Sequence, residues 1–136
     1  YHFYITDAKG DGRILEYDCE SEARTLVATP VSAATNFYAL YQEKVLPNQR
    51  NSIYGHGRER YDAVLDVFRQ QKGNYTDDTV WAALRAASQD PEPETVTSNT
   101  QWSVAYNNTD LTSDIVIRRN WKDITHYDLK ENKERK

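Results

Sequence analysis

Apolar and polar residues alternate with two different periods along this chain. Tyr1–Thr6 is a run of aromatic and β-branched residues that reads as a strand. Asp7-Ala8-Lys9-Gly10-Asp11-Gly12 has the composition of a turn, and Arg13–Tyr17 follows as a second strand. Asp18–Ala23 is a polar turn, Arg24–Thr29 a third strand, and Pro30 ends it. Val31–Phe37 reads as a fourth short extended segment. Tyr38–Leu46 has mixed periodicity that suits a helical turn, and Pro47–Gly57 reads as a loop. In Arg58–Lys72 the apolar residues Tyr61, Val64, Leu65 and Phe68 fall at i, i+3, i+4 and i+7, the stripe of an amphipathic helix. Gly73 stands where a C-terminal cap belongs.

Thr76 or Asn74 can cap the next helix, with Asp77 and Asp78 favourably placed in its first turn. Val80, Trp81, Leu84 and Ala87 give that helix an apolar face, and Gln89-Asp90-Pro91-Glu92-Pro93 is an acidic loop after it. Period two then returns: Trp102, Val104 and Tyr106 alternate with Gln101, Ser103 and Ala105. Asn107-Asn108-Thr109-Asp110 turns the chain into Ser113–Arg119, Asn120–Asp123 turns it again, and Ile124–Leu129 is the last strand. Residues 130–136 form a charged tail expected to fray. Four strands, two helices and three strands predict an α+β fold with antiparallel sheet, with residues 1–129 forming one domain or part of a larger one.

Composition narrows the function classes. Lys and Arg number 17 against 21 Asp and Glu, a net charge of −4, which argues against a nucleic-acid binder. No run approaches the ~20 apolar residues of a membrane span. Hydrophobic content is 38% and mean hydropathy −0.87, low for a self-sufficient core. Yet ten Tyr, three Trp and three Phe are too many for a disordered tail. The single Cys excludes an internal disulfide framework and a Cys-based zinc site. An unpaired thiol fits the cytosol slightly better than an exported protein. The sequence contains no Met and opens on Tyr1 inside a strand-like run, so we expect it to be a piece of a longer polypeptide.

Several residues invite a chemical reading. Asp7–Gly12 resembles the start of a calcium loop, but Lys9 stands at the third ligand position and Asp18 at the twelfth, so a hairpin turn is the better reading. Cys19 lies between Asp18 and Glu20, whose charges disfavour a thiolate. His2, His56 and His126 match no metal-ligand spacing, and neither metal nor cofactor is expected. Asn74-Tyr75-Thr76 and Asn107-Asn108-Thr109 are formal glycosylation acceptors in turn sequences. Asn36 ends an extended segment, where a carboxamide can donate into a cleft and suit an oxyanion; alternatively it satisfies its own turn. Arg58 and Arg60 open a helix against its dipole, either for a separate task or for ion pairs with Glu59 or Asp62.

Taken together, these segments resemble the choloylglycine hydrolase family, which includes penicillin V acylases, bile salt hydrolases and linear amide C–N hydrolases. The resemblance is carried by Tyr4-Ile5-Thr6-Asp7-Ala8-Lys9-Gly10 with Ile14-Leu15-Glu16-Tyr17, by Thr35-Asn36-Phe37, and by Gly57-Arg58-Glu59-Arg60-Tyr61. It continues in Thr100–Tyr106 followed by Ile115-Val116-Ile117-Arg118-Arg119, in the same order and at similar spacing. The resemblance implies an N-terminal-nucleophile hydrolase with a four-layer αββα sandwich, of which this chain is the C-terminal part. In such enzymes an N-terminal Cys attacks an amide carbonyl and its own α-amine, with a pKa near ~8, takes the proton. The resemblance implies catalytic roles for Asn36, at the oxyanion or the amine, and for Arg60 near the nucleophile, with Arg58 the alternative two residues away.

The departures are informative. Tyr1 is no nucleophile, Cys19 does not match the family's Cys, Gly57 replaces a common Ser, and Phe37 follows the Asn where bile salt hydrolases tend to have Ser-Pro. The expected function is that of a fragment of a hydrolase for linear, non-peptide carbon–nitrogen bonds, inactive alone. Its expected partners are the other half of the domain and a small-molecule amide, without nucleic acid or membrane, and a homo-oligomer is compatible. The alternatives are an acyltransferase of the same superfamily and a non-catalytic α+β binding module.

Overall fold

The structure is a computed structural model that describes residues 2–48, 57–91, 99–131 and 133–135. Its architecture is α+β. Two compact units divide the chain, Tyr1–Asp62 and Ala63–Lys136. Tyr1, residues 49–56 of the loop expected over 47–57, which include His56, and residues 92–98, which include the end of the acidic loop expected over 89–93, lie outside the described residues.

The first unit is built on a three-stranded antiparallel meander of β1 (His2–Thr6), β2 (Gly12–Tyr17) and β3 (Leu26–Pro30). The β1–β2 turn is closed by Asp7, whose Oδ1 accepts the N–H groups of Lys9 and Asp11 at 2.9 and 3.1 Å. Gly10 supplies the positive φ of 85° that the turn requires. The register pairs His2 with Glu16 and Tyr4 with Ile14, and it pairs Ile14 with Thr29 and Glu16 with Val27. One face therefore carries Tyr4, Ile14, Glu16, Val27 and Thr29, and here Ile14 and Glu16 are both 0% exposed. The opposite face carries Phe3, Ile5, Tyr17 and Leu26, all exposed.

The expected fourth strand over Val31–Phe37 does not form; this segment is irregular. The chain leaves the edge of the sheet after Pro30 because the hydrogen bonds that hold it lie elsewhere. Ala39 and Leu40 donate to Glu16 on β2, so the segment crosses towards the covered face rather than pairing beside β3. A 3-10 turn (Ala39–Tyr41), a short helix α1 (Gln42–Val45) and a second 3-10 turn (Leu46–Asn48) follow, as the mixed periodicity there suggests.

Helix α2 spans Gly57–Gln71, one residue earlier than its stripe predicts. Lys72 and Gly73 then take φ values of 51° and 87°, which unwinds the end at the expected glycine. Helix α3 spans Asp77–Ala86 and starts at a Thr76–Thr79 capping box. Of the expected face, Trp81, Leu84 and Ala87 are half-buried and Val80 is 42% exposed, while the fully buried positions are Thr79 and Ala83. The small Thr79 and Ala83 side chains let the helix seat closely, while Trp81 turns to meet Trp121 edge-on at 6.3 Å.

The second unit holds a four-stranded antiparallel sheet of β4 (Trp102–Asn107), β5 (Thr112–Ile117), β6 (Ile124–Asp128) and β7 (Lys133–Arg135). β7 corrects the expectation of a frayed tail: its backbone pairs with His126–Asp128, and ladder bonds do not depend on the charged side chains. β5 stops at Ile117 because Arg118 and Arg119 take positive φ values and turn the chain. Asn107 closes the β4–β5 turn by accepting from Thr109 and Asp110. On the sheet, Ser103, paired with Val116, is buried, and so is Val116 at 0% exposure. Trp102, paired with Ile117, lies on the other face and is 66% exposed; Tyr106 on that face is 72% exposed.

Candidate functional site

In the first unit, Asn36 sits at the apex of a tight turn. Phe37 N–H donates to the Thr35 carbonyl at 2.8 Å, a three-residue turn that projects the intervening side chain outward. Each flank of the turn is tied down. The Thr35 hydroxyl donates to the Gly57 carbonyl at the start of α2. Phe37 is buried and packs edge-on against Tyr61 at 5.1 Å and 88°. Gly57 is itself buried, which suits the close approach of the Thr35 side chain to its backbone.

Arg60, one turn into α2, donates from its guanidinium to Asn36 Oδ1. A guanidinium has only donors, so this bond fixes which end of the carboxamide faces the helix. Burial pulls the Arg60 pKa below its ordinary value, and the neighbouring Glu59 charge partly restores it. Glu59 contributes a second unusual feature: its Oε2 is buried without a hydrogen-bond partner.

Arg58 does not join this group. Its Nη1 donates to the Leu46 carbonyl at 3.1 Å and its Nε lies 3.5 Å from Asp62, a partly exposed i,i+4 ion pair. Of the two arginines, the structure brings Arg60 to Asn36.

The other candidates are engaged elsewhere. Cys19 is exposed, with its Sγ 3.8 Å from the Tyr41 hydroxyl. That hydroxyl donates to Asp18 Oδ1 at 2.6 Å and accepts the Glu20 N–H at 3.2 Å. The Asp18 hydrogen bond pushes the Tyr41 pKa up to about 12, and the same bond, with the Ser21 N–H, lowers that of Asp18. No base is aimed at the thiol among these contacts. His2 Nδ1 lies 3.1 Å from Glu16 Oε1, and His126 Nδ1 lies 2.6 Å from Asp114 Oδ1. These two histidines belong to different units, and no group of three metal-ligating side chains occurs among the described residues.

Glu16, given no role of its own from the sequence, is a fully buried carboxylate of the first unit that accepts two backbone N–H groups. No local signal marks it: Ile14 and Glu16 share one face of the strand and Leu15 and Tyr17 the other, and by composition the second face is the more apolar.

No family model, no curated protein and no solved structure matches this chain.

Proposed function

We propose that this chain supplies the oxyanion side of an amide hydrolase of the choloylglycine hydrolase type, acting on linear carbon–nitrogen bonds other than peptides. The observation that supports it best is the Arg60–Asn36 bond, which holds the Asn36 carboxamide by its oxygen at the apex of a clamped turn. That is the chemistry a tetrahedral oxyanion requires: a positioned neutral donor that needs no reorganisation as charge develops.

In this reading the nucleophilic Cys lies on polypeptide outside this sequence. Its thiol attacks the amide carbonyl while its α-amine accepts the thiol proton. The carbonyl electrons move onto oxygen, which receives the Asn36 Nδ2 donors. Collapse of this intermediate expels the amine, which takes the proton from the ammonium, and leaves a thioester. Water, deprotonated by the same α-amine, then releases the acid and restores the thiol. Arg60 acts by holding Asn36 rather than by transferring a proton, since guanidinium stays protonated. An acyltransferase would pass the same thioester to an acceptor other than water.

The bare sheet faces also favour a fragment over a self-contained binding module. A sandwich layer taken from its partner leaves apolar residues in water, and Trp102, Tyr106 and Phe3 are in that position. The test is an amine-release assay of the longer polypeptide on a panel of N-acyl amides. Asn36→Ala should lower turnover about 100-fold, and the 136-residue chain alone should release no amine. Undiminished turnover in Asn36→Ala, or turnover by the isolated chain, overturns the reading.

A further inference from the structure

A carboxylate placed on the covered face of a small sheet is strongly unfavourable unless each oxygen is satisfied. Glu16 is 0% exposed and in phase with the fully buried Ile14. Its Oε1 accepts the Ala39 N–H at 2.9 Å, and its Oε2 accepts the Leu40 N–H at 2.7 Å. His2 Nδ1 flanks Oε1 at 3.1 Å.

The two amides that Glu16 binds open the 3-10 turn Ala39–Tyr41. N–H groups at the start of a helical turn have no acceptor within it. The residue before the turn, Tyr38, makes no side-chain cap. Glu16 therefore performs the task of a cap from a strand 23 residues away in sequence. Two oxygens on two successive amides fix both the place and the rotation of the turn. Asn36 lies three residues upstream, and the intervening Phe37 and Tyr38 are held by Tyr61 and by Tyr41, the latter stacked at 5.9 Å.

We propose that Glu16 is the positioning residue for Asn36: its carboxylate anchors the Ala39–Leu40 amides and thereby aims the turn that presents the Asn36 carboxamide. The catalytic meaning of this device rests on the reading of Asn36 given above; the anchoring itself does not. Gln at position 16 keeps the shape but replaces one acceptor with an NH2 group. That group faces an amide donor, so one of the two anchoring bonds is lost.

The experiment is amide hydrogen exchange and side-chain NMR on the isotopically labelled 136-residue chain, with no activity required. In Glu16→Gln, one of the Ala39 and Leu40 amides, the one facing the new NH2 group, should exchange about tenfold faster relative to the β2 amides of Ile14 and Leu15, the loss expected for one buried hydrogen bond. The Asn36 side-chain NH2 resonances should shift, and the Arg60 guanidinium resonances that report its bond to Asn36 Oδ1 should shift with them. A uniform acceleration across the sheet with unchanged Asn36 resonances would mean that Glu16 serves stability alone, and would overturn the proposal. So would unchanged exchange.

A second variant covers the case in which Glu16→Gln does not fold. Ala39→Pro deletes one anchored N–H and leaves Glu16 in place. Proline suits the first residue of a helical turn, and the preceding Tyr38 already has the ψ of 116° that proline demands of its neighbour. The same change at Asn36 is expected, and wild-type Asn36 resonances in Ala39→Pro overturn the proposal. A failed amide-release assay leaves this result intact, so the two readings fail separately.

Discussion

Arg60 reaches back 24 residues to bind the side-chain oxygen of Asn36. The bond joins the first turn of a helix to the apex of a three-residue turn, and it orients an amide that two flanking anchors hold in place. Lysine at position 60 keeps the charge but loses the planar fork and places one ammonium where the guanidinium lay. Arg60→Lys should therefore blur the orientation of Asn36 without unfolding the chain. In the longer polypeptide of the proposed reading, amide turnover should fall about tenfold or more, close to the factor for Arg60→Ala, with KM changed far less. Steady-state kinetics of the two variants check this. Full turnover in Arg60→Ala would remove the guanidinium from the site.

The Tyr41–Asp18 pair predicts a defined alkaline titration. Tyr41 has its pKa raised to about 12 by the hydrogen bond it donates to Asp18, against 10.0 for an ordinary tyrosine. A raised folded pKa means that the contribution to stability is complete below pH 10 and is lost as pH climbs towards 12. For Asp18 the sign is opposite: its pKa is lowered from 3.8, so its contribution is present above that value and fades as pH falls below it. Ultraviolet titration should show one tyrosine ionising late, and Tyr41→Phe should abolish that late step. Carboxyl NMR of the same variant should show Asp18 moving back up towards its ordinary value. A late step that persists in Tyr41→Phe would assign it to another tyrosine.

Local signals carried most of the fold. The turn at Asp7–Gly12, the glycine after α2 and the Thr76 cap each depend on a few neighbouring residues, and each lies where its chemistry implies. The failures share a cause in long-range partners. Val31–Phe37 has the composition of a strand, but the amides just after it bind Glu16 and draw the chain off the sheet edge. β7 is invisible because its residues are charged and its order comes from β6. At the site, Arg58 and Arg60 are equivalent as letters. On a helix they lie roughly 200° apart, and only the packed structure says which faces Asn36.

Glu59 offers a test in the stabilising direction. Its Oε2 is buried and unpartnered. An unsatisfied buried oxygen costs roughly 1–3 kcal/mol, more when charged. An acidic group in a first helical turn regains only about 0.3–1 kcal/mol from the dipole. The first effect outweighs the second and the partly exposed attraction to Arg60, so Glu59→Met, which removes the buried polar atom, should raise stability by about 1 kcal/mol. Urea denaturation reports it as a higher midpoint at constant slope. A lower midpoint would show that Glu59 has a partner in solution.

Under the proposed reading, the exposed sheet faces should behave differently in this chain and in the longer polypeptide. Trp102 and Tyr106 share one face of the β4–β5 pair and are 66% and 72% exposed. Truncating an exposed side chain costs little, within about 0.5 kcal/mol, whereas removing a buried aromatic costs about 3–5 kcal/mol. In the isolated chain, Trp102→Thr with Tyr106→Thr should leave the denaturation midpoint nearly unchanged and reduce the binding of a hydrophobic dye, which senses such surface. Trp102 emission should be red-shifted in the parent chain. In the longer polypeptide the same double substitution should be severely destabilising, because the sandwich reading covers that face. An equal and small cost in both proteins would mean that no second layer packs there, and the sandwich would fall with it. A large cost in the isolated chain would instead mean that the face is already covered, by self-association, and the midpoint would then depend on protein concentration.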